Sequence, residues 1–169
     1  MKVLHINDYS DVKKYNDLIK KVPMVTLFYA DWCGHCQELK PKWRKLEKSL
    51  QQLNDKMVLA RVNNSVMSEI EGDKDIMGFP TIYYLENGSK KSEFKKERSL
   101  FELFNFISEI RPSKKREIMD VYRNTILQKG GKKNKVTKTK QSRKHIRRRK
   151  QMKTIKNKRK ARTNRRKYK

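Results

Sequence analysis

From Lys129 to Lys169 the chain holds 22 Lys and Arg and not one Asp or Glu. This run confines the rest of the fold. Its apolar residues are few and scattered: Val136, Ile146, Met152, Ile155, Ala161 and Tyr168. They cannot offset an ordering cost of about 1–2 kcal/mol per residue for the backbone alone. The segment is therefore expected to be disordered when free, and whatever folds must fold within the first 128 residues. There, 23 basic residues stand against all 18 acidic ones, a net charge of +5 out of the chain's +27. A length of 169 residues suits one ordinary domain with an extension.

Hydrophobic periodicity sets the element order in the folded part. Lys2–Ile6 alternates and reads as a strand. Ser10 caps a helix over Asp11–Lys20, with Val12, Tyr15, Leu18 and Ile19 on one face. Val22–Ala30 is a continuous run of apolar, β-branched and aromatic residues, the pattern of a central strand buried on both faces. A long helix starts at Cys33 and carries Leu39, Trp43, Leu46 and Leu50, and Pro41 inside it is expected to kink it. Met57–Val62 reads as the next strand and Ser65–Gly72 as a short helix. The stretch "GFPTIYYLENGSKKSEF" then reads as two strands about an Asn87-Gly88 turn. Leu100, Leu103, Phe104, Ile107 and Ile110 stripe a helix that Pro112 follows. Lys114–Gln128 reads as one more helix, with Ile118, Tyr122 and Ile126 on one side. The early strands alternate with helices and should run parallel, while the late hairpin must be antiparallel. The expected class is α/β: a mixed central sheet with an antiparallel C-terminal hairpin and helices on both faces. The expected division is a domain over 1–112, an additional amphipathic helix over 113–128 and the polybasic tail over 129–169.

Both cysteines of the chain lie in "FYADWCGHCQELKP", Phe28–Pro41, where the central strand gives way to the long helix. A helix start offers unpaired N–H groups and the positive end of the helix dipole, and both favour a thiolate. Cys36 falls nearly a turn deeper than Cys33 and within disulfide reach. The chemistry follows: Cys33, exposed, is the nucleophile, and Cys36, shielded, resolves the mixed disulfide. His35 between them can add a positive charge or a hydrogen bond. A zinc half-site fits poorly, because there is no second CxxC and the other histidines are only His5 and His145. A pair of inert buried thiols would not need the helix start, Trp32 or His35.

Residues 2–111 resemble the thioredoxin fold, and "FYADWCGHC" is similar to the active site of protein disulfide isomerase domains. Pro41, five residues after Cys36, and "GFPT", Gly78–Thr81, extend the resemblance. It implies a thiol–disulfide oxidoreductase or isomerase acting on protein thiols and disulfides. It implies no cofactor beyond the redox-active Cys33–Cys36 disulfide. It implies Cys33 and Cys36 as catalytic residues, with Trp32, Gly34, His35 and Arg98 in support. Pro80 is implied to be cis, and Trp32, Phe79 and Pro80 to contact substrate. Arg98 is implied to lower the pKa of Cys36. One position departs from the family. Where relatives place a buried acid, six residues before the first cysteine, this chain has Leu27. A slower exchanger is expected, with Cys36 deprotonation left to water or Arg98, and Arg61 without an acid to pair with.

The chain opens on "MKVLHINDYS", without an apolar leader segment, and its longest apolar run is far short of the ~20 residues that span a membrane. The expectation is an intracellular monomer, cytoplasmic or nuclear, where two cysteines signal chemistry rather than a structural disulfide. The tail calls for nucleic acid or another polyanion, through Arg143, Lys144, Arg147, Arg148, Arg149, Lys150, Lys158, Arg159, Lys160, Arg162, Arg165, Arg166 and Lys167. With Tyr168 as the tail's sole aromatic, base-specific reading is not expected. A competing reading makes the chain a nucleic-acid-binding or packaging protein that uses the redox fold as a scaffold.

Overall fold

The computed structural model describes residues 1–130, with side chains through residue 127; the basic residues from Arg143 to Lys167, and the disorder expected around them, lie outside the described residues. Within them the order is β1 (Lys2–Ile6), α1 (Tyr9–Ile19), β2 (Met24–Tyr29), α2 (Gly34–Leu50), β3 (Val58–Asn63), β4 (Thr81–Glu86), β5 (Ser89–Glu93), α3 (Leu100–Ile110) and α4 (Lys115–Gly130). The five strands form one sheet in the order β1-β3-β2-β4-β5. β3 pairs parallel with both β1 and β2, whereas β4 pairs antiparallel with β2 and β5. The mixed sheet with an antiparallel hairpin is thus the expected one.

Side-chain alternation divides the core. Val25, Leu27 and Leu59 face one side, where Leu39, Trp43, Leu46 and Leu50 of α2 meet Leu103, Phe104 and Ile107 of α3. Met24, Phe28, Val58, Ala60 and Val62 face the other side and meet Val12, Tyr15 and Ile19 of α1. Every residue of β2 from Met24 to Phe28 is buried. That continuous apolar run is what a strand covered on both faces requires.

Two local expectations are corrected. The N-cap of α1 is Asp8 rather than Ser10: the Asp8 carboxylate accepts from the Ser10 backbone N–H at 2.9 Å. A carboxylate reaches the free N–H groups of a first turn as a serine hydroxyl does, and adds its charge to the dipole. The helix expected over Ser65–Gly72 shrinks to one 3-10 turn, Asn64–Val66. Lys74 explains this, since its ammonium donates to the carbonyls of Met67, Ser68 and Ile70 at 2.9, 2.8 and 2.7 Å. Those acceptors would otherwise continue a helix. Gly72, at φ +89, then turns the chain, and a Cβ there would lie 2.7 Å from Ile19.

α4 closes the α2/α3 face. Ile118 is fully buried, Tyr122 packs on Phe101 and Phe104, and Thr125 donates to Ser49 of α2 at 2.9 Å. Ile126, expected on the buried side, is instead exposed. Ile118→Ala leaves a cavity in this core, so denaturant unfolding should report a loss of about 2–4 kcal/mol. A loss under about 0.5 kcal/mol would mean that α4 is no part of the folded unit.

Candidate active site

β2 ends at Tyr29, and four residues later Cys33 caps α2. Its φ and ψ, −84° and 114°, are extended, and Sγ accepts from the Cys36 backbone N–H at 3.2 Å. A sulfur therefore occupies the place where a helix start most favours negative charge. Sγ also lies 3.5 Å from the Phe79 carbonyl, to which the thiol donates. The Phe79–Pro80 peptide is cis. Two chain segments 46 residues apart thus meet at Cys33.

Both thiols are free, and both are buried: Cys33 is 7% exposed and Cys36 5%. The exposure expected for Cys33 is thus corrected. Tyr29 and Phe79 pack against the cysteine pair and cover it. Trp32 stands out at 76% exposure, edge-on to Phe79 with ring centroids 6.0 Å apart. Met77, on the segment leading to Phe79, is 95% exposed. An apolar rim thus surrounds a recessed sulfur.

The other expected residues fall as follows. Gly34 is the first residue of α2. His35 points outward, its Nδ1 3.7 Å from the Glu38 carboxylate, with both side chains about three-quarters exposed. Arg98 donates to the Pro80 carbonyl at 3.3 Å. Burial pushes the Cys36 thiol up to about 11, contact with Cys33 adds to the rise, and the charge of Arg98 opposes it. Arg98 is therefore within electrostatic reach of the sulfur it was expected to serve.

Behind Cys36 lies a cavity of about 10 Å³, lined by Leu27, Tyr29, Cys36, Leu39, Lys40, Arg61 and Pro80. That is the lower limit for one water molecule. Leu27, 3% exposed, stands on its wall and brings no proton acceptor. The expectation for Arg61 is overturned. It does have an acid, Glu47 of α2, whose Oε1 lies 3.0 Å from Arg61 Nε. Glu47 is itself 5% exposed and accepts from Trp43 Nε1 at 2.8 Å. Arg61 NH2 lies 2.6 Å from His5 Nε2, and because arginine only donates, that nitrogen is the acceptor. The signal was present in the sequence. Position 47 lies four residues after Trp43 and three before Leu50, on the buried stripe of α2, while Arg61 interrupts a buried strand. Two opposite charges at inward positions call for each other.

Among the described residues, no group of three or more His, Cys, Asp or Glu could hold a metal ion, and no helix is long and apolar enough to cross a membrane.

The thioredoxin family profile matches residues 7–109. A protein disulfide-isomerase of Ricinus communis is 38% identical over 92 residues, covering 52% of this chain and 18% of its own length. A thioredoxin domain-containing protein 5 homolog of Drosophila melanogaster is 36% identical over 78 residues, covering 45% of this chain and 19% of its own length. Among solved structures, human ERp44 in its zinc-bound form superposes with TM-score 0.53 at 24% identity, over 63% of this chain and 31% of that one. The first thioredoxin domain of mouse protein disulfide-isomerase A4 gives 0.50 at 24%, over 64% and 72%. The chain thus spans about a fifth of the length of these curated relatives. Relatives of this kind reside in the endoplasmic reticulum, which overturns the expectation of a cytoplasmic or nuclear chain. That expectation rested on the opening residues, which do not bear on address in a chain matching so small a part of its relatives. The argument from a reducing compartment falls with it, and the cysteine chemistry rests on geometry instead.

The raised thiol has a consequence for stability. Burial raises the Cys36 thiol from its ordinary 9.0 to about 11, so between these values the unfolded chain has lost a proton that the folded chain keeps. The contribution is whole below about pH 9 and is lost as pH rises toward 11. Denaturant titrations of the reduced protein should show the stability of wild type falling relative to Cys36→Ala across that window. Parallel curves would refute a buried, protonated Cys36.

Proposed function

Because the chain belongs to the thioredoxin family, we propose that it is a thiol–disulfide oxidoreductase acting on protein thiols and disulfides, with Cys33 as nucleophile and Cys36 as resolving residue. The observation that carries this reading is the capping geometry: one sulfur takes the helix N–H at 3.2 Å, while the other is deeper and held protonated by burial. The Cys33 thiolate attacks a substrate disulfide, forming a mixed disulfide and releasing one substrate thiolate. Cys36 then loses its proton and attacks Cys33 Sγ. The Cys33–Cys36 bond forms, the bond to substrate breaks, and the second substrate sulfur leaves with the electron pair. Run backward, the same steps oxidise a dithiol. The disulfide is the redox group, and no external cofactor enters.

Trp32, Phe79 and Pro80 form the substrate rim in this reading. The exposed indole and the carbonyl beside Cys33 support that assignment. Arg98 eases the ionisation of Cys36. Gly34 and His35 open α2 and support the cysteines, His35 by a positive charge or a hydrogen bond. One chain suffices, since both thiols come from a single strand–helix junction. The working unit is the domain over 1–112 with the helix over 113–128, and residues 129–169 are an appendage. The alternative of a packaging protein with a scaffold fold finds no support among the relatives.

Cys33→Ser should abolish disulfide reduction and rearrangement. Cys36→Ser should accumulate mixed disulfides, visible as reducible high-mass species by non-reducing electrophoresis and identifiable by mass spectrometry. Activity that survives Cys33→Ser would refute the assignment.

The 22 positive charges of the tail support a second activity, binding of nucleic acid or another polyanion. The full chain should retard DNA or RNA, with affinity falling about 10³–10⁵-fold between roughly 50 and 200 mM salt. A chain ending at Gln128 should not retard either. Equal retardation by both chains, or salt-independent binding, would refute this activity.

A further inference from the structure

The oxidoreductase reading leaves a physical problem in the second step. Cys36 is buried, and the wall behind it carries Leu27 rather than a proton acceptor. Arg98, which donates to the Pro80 carbonyl, acts on Cys36 from one side, and a charge across the cavity would add to that. Two cations line the cavity that it shares, Lys40 and Arg61. Lys40 is half-buried at the surface, where solvent screens its charge. Arg61 has a side chain only 11% exposed, between α2 and the sheet. Leu27 and Arg61 are register partners on neighbouring parallel strands, so their side chains project to the same face.

Glu47 gives this cation a direction. It pairs with Arg61 but does not line the cavity, so the cation is the member of the buried pair that shares the cavity with Cys36. The arrangement is rigid. Trp43 Nε1 fixes the carboxylate at 2.8 Å and His5 Nε2 holds the guanidinium at 2.6 Å. Arg61 Nε, 3.0 Å from Glu47, lacks the alignment of a hydrogen bond, so the contact is one of charge. A fixed charge pair needs no rearrangement when charge develops in front of it.

We propose that Arg61, held by Glu47, Trp43 and His5, is a positioning residue for the resolving step. Across the cavity it shares with Cys36, its guanidinium stabilises the thiolate that attacks the Cys33 mixed disulfide. The proton released from Cys36 passes to a water of the cavity and then to solvent or to the departing substrate thiolate. The electron pair of the thiolate becomes the Cys33–Cys36 bond. The inference rests on Cys33 and Cys36 being the exchanging pair.

The test is a titration of Cys36 in the Cys33→Ser full chain, followed by thiolate absorbance and by alkylation rate against pH. It needs no exchange activity, so its result is separable from the oxidoreductase reading. Arg61→Met should lower the thiolate population at a given pH by about tenfold, a shift of the size a nearby charge produces. Arg61→Lys should restore most of it. Lys40→Met should change it less than Arg61→Met does. Glu47→Gln, which uncovers the charge of Arg61, should shift the thiolate population the opposite way, and it tests the proposal even if Arg61→Met fails to fold. With the thiols intact, Arg61→Met should slow decay of a preformed mixed disulfide and leave its formation unchanged. A folded Arg61→Met with an unchanged titration would overturn the proposal. So would Glu47→Gln and Arg61→Met shifting in the same direction, or a larger effect at Lys40. Slower resolution in Glu47→Gln despite an easier ionisation would instead make Glu47 the proton acceptor, and the proposal would fall.

Discussion

β2 is hydrogen-bonded along both edges, by β3 and β4, and covered on both faces, by α1 and by α2 with α3. It is the middle strand of the five, and both of its neighbours are themselves held between strands. The chain leaves β2 with little freedom of position, and Cys33 follows within four residues. The start of α2 is fixed by the same strand, because Trp43, Leu46 and Leu50 pack on it from above. Placing a sulfur at a helix N-terminus is then a consequence of packing rather than of the loop. β4 is held against the other edge of β2, which brings the Phe79–Pro80 segment to the same end of the sheet. Cys33 and the Phe79–Pro80 segment thus meet at one end of a single antiparallel pairing.

Glu47 and Arg61 introduce a different kind of order into the face beneath α2. A buried ion pair seldom adds stability over apolar residues of similar volume, because desolvation consumes most of the attraction. It does fix orientation. Around it stand Trp43, bonded to the carboxylate, and His5, bonded to the guanidinium, so α2, β3 and β1 are registered by one ion pair. The apolar core alone would tolerate small slides of α2 over the sheet. The carboxylate would not, since each slide strands a charge.

Much of this was legible in the residues. β1 falls on Lys2–Ile6, and α3 buries the stripe that its spacing marks out, because local periodicity and tertiary burial agree there. The cysteine pair was legible through its place at a strand–helix junction. The misses are long-range. The segment after β3 has the composition of a helix, and Lys74, reaching back to three carbonyls, decides otherwise. Cys33 is covered by Phe79, 46 residues away, which no local pattern reveals. Glu47 and Arg61 were each visible as a charge in an apolar pattern, but their pairing depends on which face of β3 lies under α2. Cellular address depended on the first residues alone, where the chain carries least information.

The contact between Cys33 and the Phe79 carbonyl has a further meaning. A thiol can donate to that oxygen only while it carries a hydrogen. Once the sulfur is locked in a disulfide the donor is gone, and a carbonyl at the lip of the site needs another N–H. An incoming strand can supply one. The same atom therefore has this donor only while Cys33 is a protonated thiol. A change of hydrogen or bond at one sulfur is thus passed directly to the main chain of a segment 46 residues away.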